Sequence, residues 1–516
     1  MLTTALSATR QLSRTQTTAL VTVAAGVIYA IAFLDPYIGL FMAPFFALGC
    51  ARGKHPLILL ALSVVPALVL VAVSLAKFAV LDMPLFAYDH YFLRGNLVLL
   101  AYNDWRVATA LAITTAGTVY YIVHLFKGRG LFSRFEKGSL GALSAVSLGC
   151  IVDVQSWSQN STIWTPDFAK PSLRTLVYSS QIPGAQLLLP ATMPPVPTLA
   201  NLNIGAPAGP LPDLFFVLQE STFPPELFRE SYEPHSLFSK TAPHTGPLHV
   251  HTFAGGTWRT EFSILTQMRP QEFGSDGLYV FHQLEGRIKR SIFTELKALG
   301  YRTMVFYPVP GSFINARNFY LSIGADEFND PDTLGYSKGL DWKIPDSTIY
   351  ETMLKKIGET NQPIAVMMLT INQHTPYDIK DPFTDYVTRY SDSDDAYGAF
   401  LEALTKRGRP AGVVTFGDHQ PEFMTRFWDD HAKWYTTAYD IRCINFECAG
   451  PATTGQANKA LDVTLLSPFA LQKFGFKLDD FAALQQEMFK NCDDDVMRCG
   501  EATRLTYNAA FSRFFE

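Results

Sequence analysis

The sequence predicts two architectures in one chain: a polytopic α-helical membrane domain, then an α/β domain with a mainly parallel central sheet. Three observations predict it. Apolar residues crowd into the first third; a Pro-, Ser- and Thr-rich stretch follows; and from Asp213 onward short strands alternate with helices. The 516 residues are 48% hydrophobic and only 17% charged, too apolar for an ordinary soluble enzyme and long enough for more than one unit. The net charge of −5 gives no support for nucleic-acid binding.

Residues 1–155 are expected to hold about five membrane helices. Ala19–Leu34 and Tyr37–Cys50 are apolar runs parted by Asp35-Pro36, each near the lower length limit for crossing ~30 Å of hydrocarbon. Pro56–Val80 is the clearest span, Trp105–Phe126 the fourth, and Gly138–Val154 the weakest. Between them, Leu81–Asn103 is mixed and aromatic, with Asp82, Asp89 and Arg94, and reads as an interfacial loop. The basic segments are the N-terminal arm with Arg10 and Arg14, the loop 51–55, and the loop 127–137. With five spans all three share one side, so a cytoplasmic N-terminus puts the large domain outside the cytoplasm. Two close cysteine pairs, Cys443/Cys448 and Cys492/Cys499, suit disulfides in an oxidising compartment. Residues 156–211 read as an extended or interfacial connector, with Pro190–Pro197 and Ala206–Pro212 as its Pro-rich parts.

Residues 212–516 form the large domain. Asp213–Leu218 is a continuous apolar run, as in a strand buried on both faces. Ser291–Leu299 reads as helix, Tyr301–Tyr307 as strand, Ser347–Gly358 as helix, Pro363–Thr370 as strand, Ala396–Lys406 as helix and Gly412–Phe416 as strand. Such alternation implies a mainly parallel sheet. Ser391-Asp-Ser-Asp-Asp395 lacks the glycine and distal glutamate of a calcium loop and reads as the start of the helix after it.

In an open α/β sheet, ligands bind beyond the carboxyl ends of the strands. The first strand ends in Gln219-Glu-Ser-Thr222, the strand 363–370 in Asn372-Gln-His-Thr-Pro-Tyr377, and the strand 412–416 in Gly417-Asp-His-Gln420. Glu220, Asp418 and His419 therefore make a candidate divalent-metal site, since two carboxylates and a neutral imidazole suit Zn²⁺ or Mn²⁺. Before a helix expected over Trp258–Met268 stands Gly255-Gly-Thr257, at or near its N-cap. Alone, this reads as a capped helix. Beside three metal ligands, Thr257 becomes a candidate nucleophile, because ligation lowers a hydroxyl pKa and a helix N-terminus favours a phosphate. Arg317, in the loop after Tyr307 with Asn315 and Asn318, offers a planar fork to phosphate oxygens, against an ion pair with Asp326 or Glu327. His374 could bind substrate oxygens or protonate a leaving group, against merely ordering the Thr-Pro-Tyr turn. His249 and His251 read as loop or strand residues near the site.

Taken together, Leu218-Gln-Glu-Ser-Thr222, Gly255-Gly-Thr-Trp-Arg-Thr-Glu-Phe262, Asn372-Gln-His-Thr-Pro-Tyr377 and Phe416-Gly-Asp-His419 resemble the membrane-bound headgroup transferases of the alkaline phosphatase–sulfatase superfamily. The closest likeness is to lipoteichoic acid synthase and the phosphoglycerol transferases. The resemblance implies an alkaline phosphatase-like, sulfatase-like fold for 212–516, on the outer side of a multi-pass bacterial inner-membrane protein. It implies metal ligation by Glu220, Thr257, Asp418 and His419, a phospho-Thr257 intermediate, and substrate contacts from Arg317, His374 and the segment of Asn315. The implied cofactor is one Mn²⁺ or Zn²⁺ ion, with Mg²⁺ a further option. The implied partners are a phospholipid donor, phosphatidylglycerol first, and a glycan or lipid acceptor, with diacylglycerol released. Asn315 stands where the family has an aromatic residue, so a phosphoethanolamine transferase remains an alternative. A metal-dependent phosphodiesterase and an inactive membrane sensor or scaffold are the others. Sulfate ester cleavage is disfavoured, because Thr257-Trp-Arg-Thr-Glu lacks the Cys/Ser-x-Pro-x-Arg pattern.

Overall fold

The computed structural model describes residues 37–38, 41–42, 56–81, 84–90, 173–179, 199–224, 234–239, 242–335, 344–358, 362–378, 380–426, 431–450, 460–492 and 499–515. The chain divides into one unit of residues 1–90 and 100–182, and another of 91–99 and 183–516.

In the first unit, α1 (Pro56–Leu81) coincides with the clearest expected span and contains Pro66. Val65, Val69 and Val73, four residues apart and so on one face, are exposed. Lys77, near its end, pairs with the buried carboxylate of Asp89 at 2.8 Å. Asp89 also accepts the backbone N–H of Phe86, so this expected loop is folded back on the helix. Among the described residues no helix is long and apolar enough to cross a membrane; side chains of α1 are described only at 65–75, 77 and 78. The other four expected spans lie outside the described residues, apart from 37–38 and 41–42. Within the expected connector, α2 (Leu173–Ser179) is helical, and Ser179 accepts the backbone N–H of Ala87.

The second unit is built on an eight-stranded sheet. Its strands are β1 (Asp213–Gln219), β2 (His244–His249), β3 (Arg302–Phe306), β4 (Glu327–Asn329), β5 (Ile364–Leu369), β6 (Ala411–Gly417), β7 (Thr436–Ile444) and β8 (Leu461–Asp462), in the order β4-β3-β5-β1-β6-β7-β2-β8. The strands from β4 to β6 are parallel. β7 runs antiparallel to both β6 and β2, and β2 is parallel to β8. The sheet is therefore mixed but mainly parallel, as expected: five of its seven neighbouring pairs are parallel, and the two made by β7 are antiparallel. A parallel return needs a long crossover, whereas between β6 and β7 the described helical pieces are Glu422–Arg426 and His431–Trp434 only.

The helices of this unit are α3 (Thr257–Thr266), α4 (Val280–Gln283), α5 (Ile292–Ala298), α6 (Ala316–Ser322), α7 (Pro331–Leu334), α8 (Asp346–Ile357), α9 (Pro382–Arg407), α10 (His431–Trp434), α11 (Val463–Lys473), α12 (Asp480–Cys492) and α13 (Glu501–Phe514). Every residue of β1 is buried, as its unbroken apolar run requires. Phe215 meets Phe400 of α9 edge-on at 5.6 Å, and Phe400 stacks on Tyr350 of α8 at 4.8 Å. On the opposite face, Gly412 leaves room for the ring of Phe474, which follows α11. Helices thus cover both faces.

Helix α9 starts fourteen residues before the expected 396. Asp381 caps it by accepting Thr384 N–H, and Pro382 sits at its first turn. The acidic run 391–395 lies in its middle rather than at its start. Asp394 there is buried because its carboxylate accepts three successive backbone N–H groups, from His235, Ser236 and Leu237. Residues before 212 are also engaged: Gly205 bridges Lys477, and Ile204 N–H donates to Glu295. Both expected cysteine pairs are disulfides, Cys443–Cys448 closing the end of β7 and Cys492–Cys499 linking α12 to the approach of α13.

The exits of β1 and β6 are in direct register, Gln219 opposite Gly417. A Cβ on Gly417 would lie 1.8 Å from the backbone oxygen of Thr222. Gly417→Ala is therefore expected to destabilise the domain by about 3 kcal/mol, the upper range for overpacking, read as a lowered midpoint in denaturant unfolding.

Candidate metal and nucleophile site

Four side chains meet at the carboxyl ends of β1 and β6. Glu220 follows β1, Asp418 and His419 follow β6, and Thr257 opens α3. Thr257 Oγ1 lies 3.2 Å from Glu220 Oε2 and 3.4 Å from His419 Nε2. His419 Nε2 is 3.1 Å from Asp418 Oδ2 and 3.6 Å from Glu220 Oε1. Glu220, Asp418 and His419 are all buried, with one ligand atom from each lying within 4.8 Å of the others.

Thr257 is not the N-cap. Gly256 holds that position with φ 79°, and Thr257 is the first helical residue. The left-handed conformation at Gly256 suits glycine, and a Cβ there would meet Arg259 at 2.6 Å. With the cap supplied by backbone geometry alone, the threonine hydroxyl is free of that task and turns to Glu220 and His419 instead.

The cluster is pre-aligned by its own backbone. Asp418 Oδ1 accepts the N–H groups of Ser221 (2.7 Å) and His419 (2.8 Å). Ser221 adopts φ 49°, uncommon for a residue with a Cβ, and so aims its N–H across to the neighbouring strand's exit. Ser221 Oγ donates to Glu220 Oε1. His419 Nδ1 lies 3.0 Å from the carbonyl of Gln420. A carbonyl only accepts, so Nδ1 carries the proton and Nε2 presents its lone pair to the cluster.

The electrostatics ask for a cation. Burial raises the pKa of Glu220, and the charge of Asp418 adds to the rise. Asp418 is pushed up to about 7 by burial, only partly offset by neighbouring donors. Asp418 Oδ2 has no hydrogen-bond partner among the described residues although it is fully buried. His419 is lowered by burial, which keeps its ring neutral. Two crowded carboxylates, an orphaned oxygen and an inward lone pair are the donor set of a divalent ion, so the residues fit one.

His374 lies close enough for its charge to act on Glu220, and burial lowers its own pKa. Its Nδ1 is 2.6 Å from Thr375 O, again leaving Nε2 as the acceptor. Arg317 is elsewhere on the edge: its Nη2 pairs with the buried Asp330 at 2.5 Å, and its guanidinium lies over Phe328. The partner is Asp330 rather than Asp326 or Glu327, whose carboxylates pair with Lys297 and Arg302. The described contacts of Arg317 do not reach the four-residue cluster. Asn315, at φ 66°, donates to Phe281 O and Glu285, so it fastens the start of α6 to α4.

Sequence reasoning missed the supports. Arg259 donates to Thr252 Oγ1 and so braces the loop that delivers Thr257. Glu261, one turn after Thr257, is buried and accepts from Tyr307 (3.3 Å) and Tyr320 (2.5 Å). The i, i+4 spacing from Thr257 was the available signal for Glu261; its tyrosines come from 46 and 59 residues away. His249 and His251 stand in a separate group with Asp462.

Adjacent parallel strands thus deliver Glu220, Asp418 and His419 to a threonine at a helix start, a set that can hold a divalent ion against a hydroxyl. Residues 212–444 match the family model described as Sulfatase. The chain is 30% identical over 306 residues to an uncharacterized protein of Haemophilus influenzae, covering 52% of this chain and 54% of that one. It is 26% identical over 185 residues to the lipoteichoic acid synthase-like YvgJ of Bacillus subtilis, covering 33% and 29%. The chain thus spans about half the length of the first relative and under a third of the second. Among solved structures it is similar to the Streptococcus pyogenes phosphoglycerol transferase GacH in complex with sn-glycerol-1-phosphate, with 20% identity, 59% and 90% coverage and a TM-score of 0.47.

Glu261 makes stability depend on pH. Burial raises its folded pKa to about 8, above the ordinary 4.5. Between those values the folded state holds a proton that the unfolded state has lost, so stability falls as pH rises through the window and levels off above about 8. Its full slope is about 1.4 kcal/mol per pH unit. Glu261→Gln is expected to flatten the decline in unfolding free energy measured by denaturant titration from pH 5 to 8.

Proposed function

We propose that the chain transfers a phospholipid headgroup, phosphoglycerol from phosphatidylglycerol, to a glycan or lipid hydroxyl through a phospho-threonine intermediate. The observation that carries this reading is the placement of Thr257 Oγ1 against Glu220 and His419, with the helix cap supplied by Gly256. Glu220, Asp418 and His419 would hold one divalent ion, Mn²⁺ or Zn²⁺ with Mg²⁺ a further option, with Thr257 Oγ1 completing the set; bound there, it supplies the charge that lowers the hydroxyl pKa and offsets charge on the phosphate.

In the first half-reaction Thr257 Oγ1 bonds to phosphorus and the bond to the diacylglycerol oxygen breaks. The 3.2 Å hydrogen bond to Glu220 gives the hydroxyl proton a path off the oxygen. Thr257 opens α3, and a helix N-terminus favours phosphate oxygens, although the N–H of Arg259 is already bonded to Gly256 O. Diacylglycerol leaves, and an acceptor hydroxyl then takes the phosphoglycerol from Thr257, which predicts ping-pong kinetics. His374 Nε2 suits the binding of a substrate hydroxyl and acceptance of its proton. Protonating a leaving group would need a second proton on a ring whose pKa burial lowers. Arg317, pinned by Asp330 and partly exposed, keeps further N–H groups for a substrate oxygen. Asn315 is spent on Phe281 and Glu285, so this reading gives it a scaffold role.

The same reading places residues 1–155 in the bacterial inner membrane as a multi-pass domain, beside the lipid donor. Residues 156–211 then act as the connector, and the domain 212–516 lies on the extracytoplasmic side. The two disulfides support an oxidising compartment.

The test is diacylglycerol release from labelled phosphatidylglycerol or phosphatidylethanolamine by the purified chain. Release from phosphatidylglycerol should stop on chelation and return with Mn²⁺ or Zn²⁺. Thr257→Ala should lower turnover by about a thousandfold or more, as expected for loss of a nucleophile. Equal release by the variant would sink the mechanism, and brisk turnover of phosphatidylethanolamine alone would reassign the donor. Arg317→Ala should cost about 10–100-fold in kcat/KM, the size of one lost charge-assisted phosphate contact, in initial-rate measurements.

A further inference from the structure

We infer that His249, His251 and Asp462 form a second divalent-cation site, separate from the cluster at Glu220, Asp418 and His419, and suited to Zn²⁺ or another imidazole-preferring ion. This inference does not rest on the proposed transfer reaction. His249 ends β2, and His251 lies two residues on, so the extended backbone turns both rings to one side. Asp462 ends β8, which pairs with β2 at His249, and it caps α11. One ligand atom from each residue lies within 4.8 Å of the others.

The hydrogen-bond bookkeeping around His251 shows what the group lacks. Ser263 has one O–H, and it donates to Arg259 O at 2.9 Å. Ser263 Oγ can therefore only accept from His251 Nδ1, 3.3 Å away. With Nδ1 donating to Ser263, Nε2 keeps a lone pair; with the ring proton on Nε2, the ring donates to Asp462 and Nδ1 is the acceptor. Nε2 faces Asp462 Oδ2 at 3.0 Å, with both groups buried. Asp462 Oδ1 is already taken by Thr464 N–H and Thr464 Oγ1. In the first tautomer two acceptors face each other at that distance, and a cation between them removes the repulsion. The cation is either a second proton on His251 or a metal ion. Bonds of about 2.0–2.2 Å place neighbouring ligands of one ion roughly 3–3.5 Å apart, so the pair needs little movement to bind one.

His249 is a group that a metal ion would use and a proton would not. An imidazolium at His251 would be satisfied by Asp462 and Ser263 alone and would gain nothing from a second imidazole. Yet the rings of His249 and His251 lie 5.7 Å apart, and His249 belongs to the group. Two imidazoles and one carboxylate leave coordination positions open, and His249, at the exposed edge, marks the side from which an ion enters. Arg269 is near enough to act on Asp462 and also on Glu272, so its charge is shared between two carboxylates. Through Ser263 the site is tied to α3, the helix that begins with Thr257, and it staples β2 and the β8–α11 corner to that helix.

The purified full chain, stripped with chelator, is titrated with CoCl₂ alone, and visible absorption and bound metal per chain are read. Two ions per chain are expected. His249→Gln, an exposed-edge change, should remove one ion while the other stays. The double variant Glu220→Gln, Asp418→Asn should remove the other ion and leave the absorption that His249→Gln abolishes. Saturation at one ion, or an unchanged count in His249→Gln, overturns the proposal and makes His251 the imidazolium partner of Asp462. If His249→Gln fails to fold, anomalous scattering from Co²⁺-soaked crystals of the parent protein decides: a peak among His249, His251 and Asp462 supports the site, and its absence overturns it.

Discussion

Two carboxylates buried at the ends of neighbouring parallel strands set the terms for the domain built on the eight-stranded sheet. Burial raises the pKa of both Glu220 and Asp418, and their mutual repulsion contributes to the rise at Glu220. A fold retains such a pair only where something offsets the charge. Here the backbone supplies part of it: Ser221 N–H crosses from the exit of β1 to Asp418 at the exit of β6. The remaining deficit, at Asp418 Oδ2, points at the hydroxyl and imidazole that complete the cluster.

The geometry depends on close backbone approach. Gly417 is a glycine because Thr222 O occupies the space of a Cβ, which lets the two strand exits converge. Gly256 is a glycine because φ 79° starts α3 where Thr257 can reach Glu220. Behind these, Arg259 holds the Thr252 loop, and Glu261 holds Tyr307 and Tyr320 against the first turns of α3. The nucleophile candidate is thus carried by a helix fastened at several points, as pre-organisation of a reacting group requires.

Much of the α/β plan was legible. β1, β3, β5 and β6 show as apolar runs because strands covered on both faces cannot alternate. The antiparallel wing was not. β2 includes Pro247 and His244, and β7 mixes Asp440 and Arg442 with apolar residues, so neither has a strand's usual signature. Asp440 lies in the interior because Arg442, two residues along the same strand, pairs with it. Helix α9 was read short because its acidic middle looks like a boundary, until Asp394 is seen to bind three N–H groups of a distant turn.

The chain by itself determined the residue types and their positions at strand ends: Glu220 after one apolar run, Asp418-His419 after another, and Thr257 after two glycines. Strand ends can be read locally because burial of a strand is written in consecutive residues. Only the tertiary structure decided that Gly256 rather than Thr257 caps α3, that Arg317 pairs with Asp330, and that His251 faces Asp462 across 211 residues of sequence. Those choices depend on which groups meet and which donors are already used. A hydrogen bond is settled by its partner, and the partner comes from elsewhere in the chain.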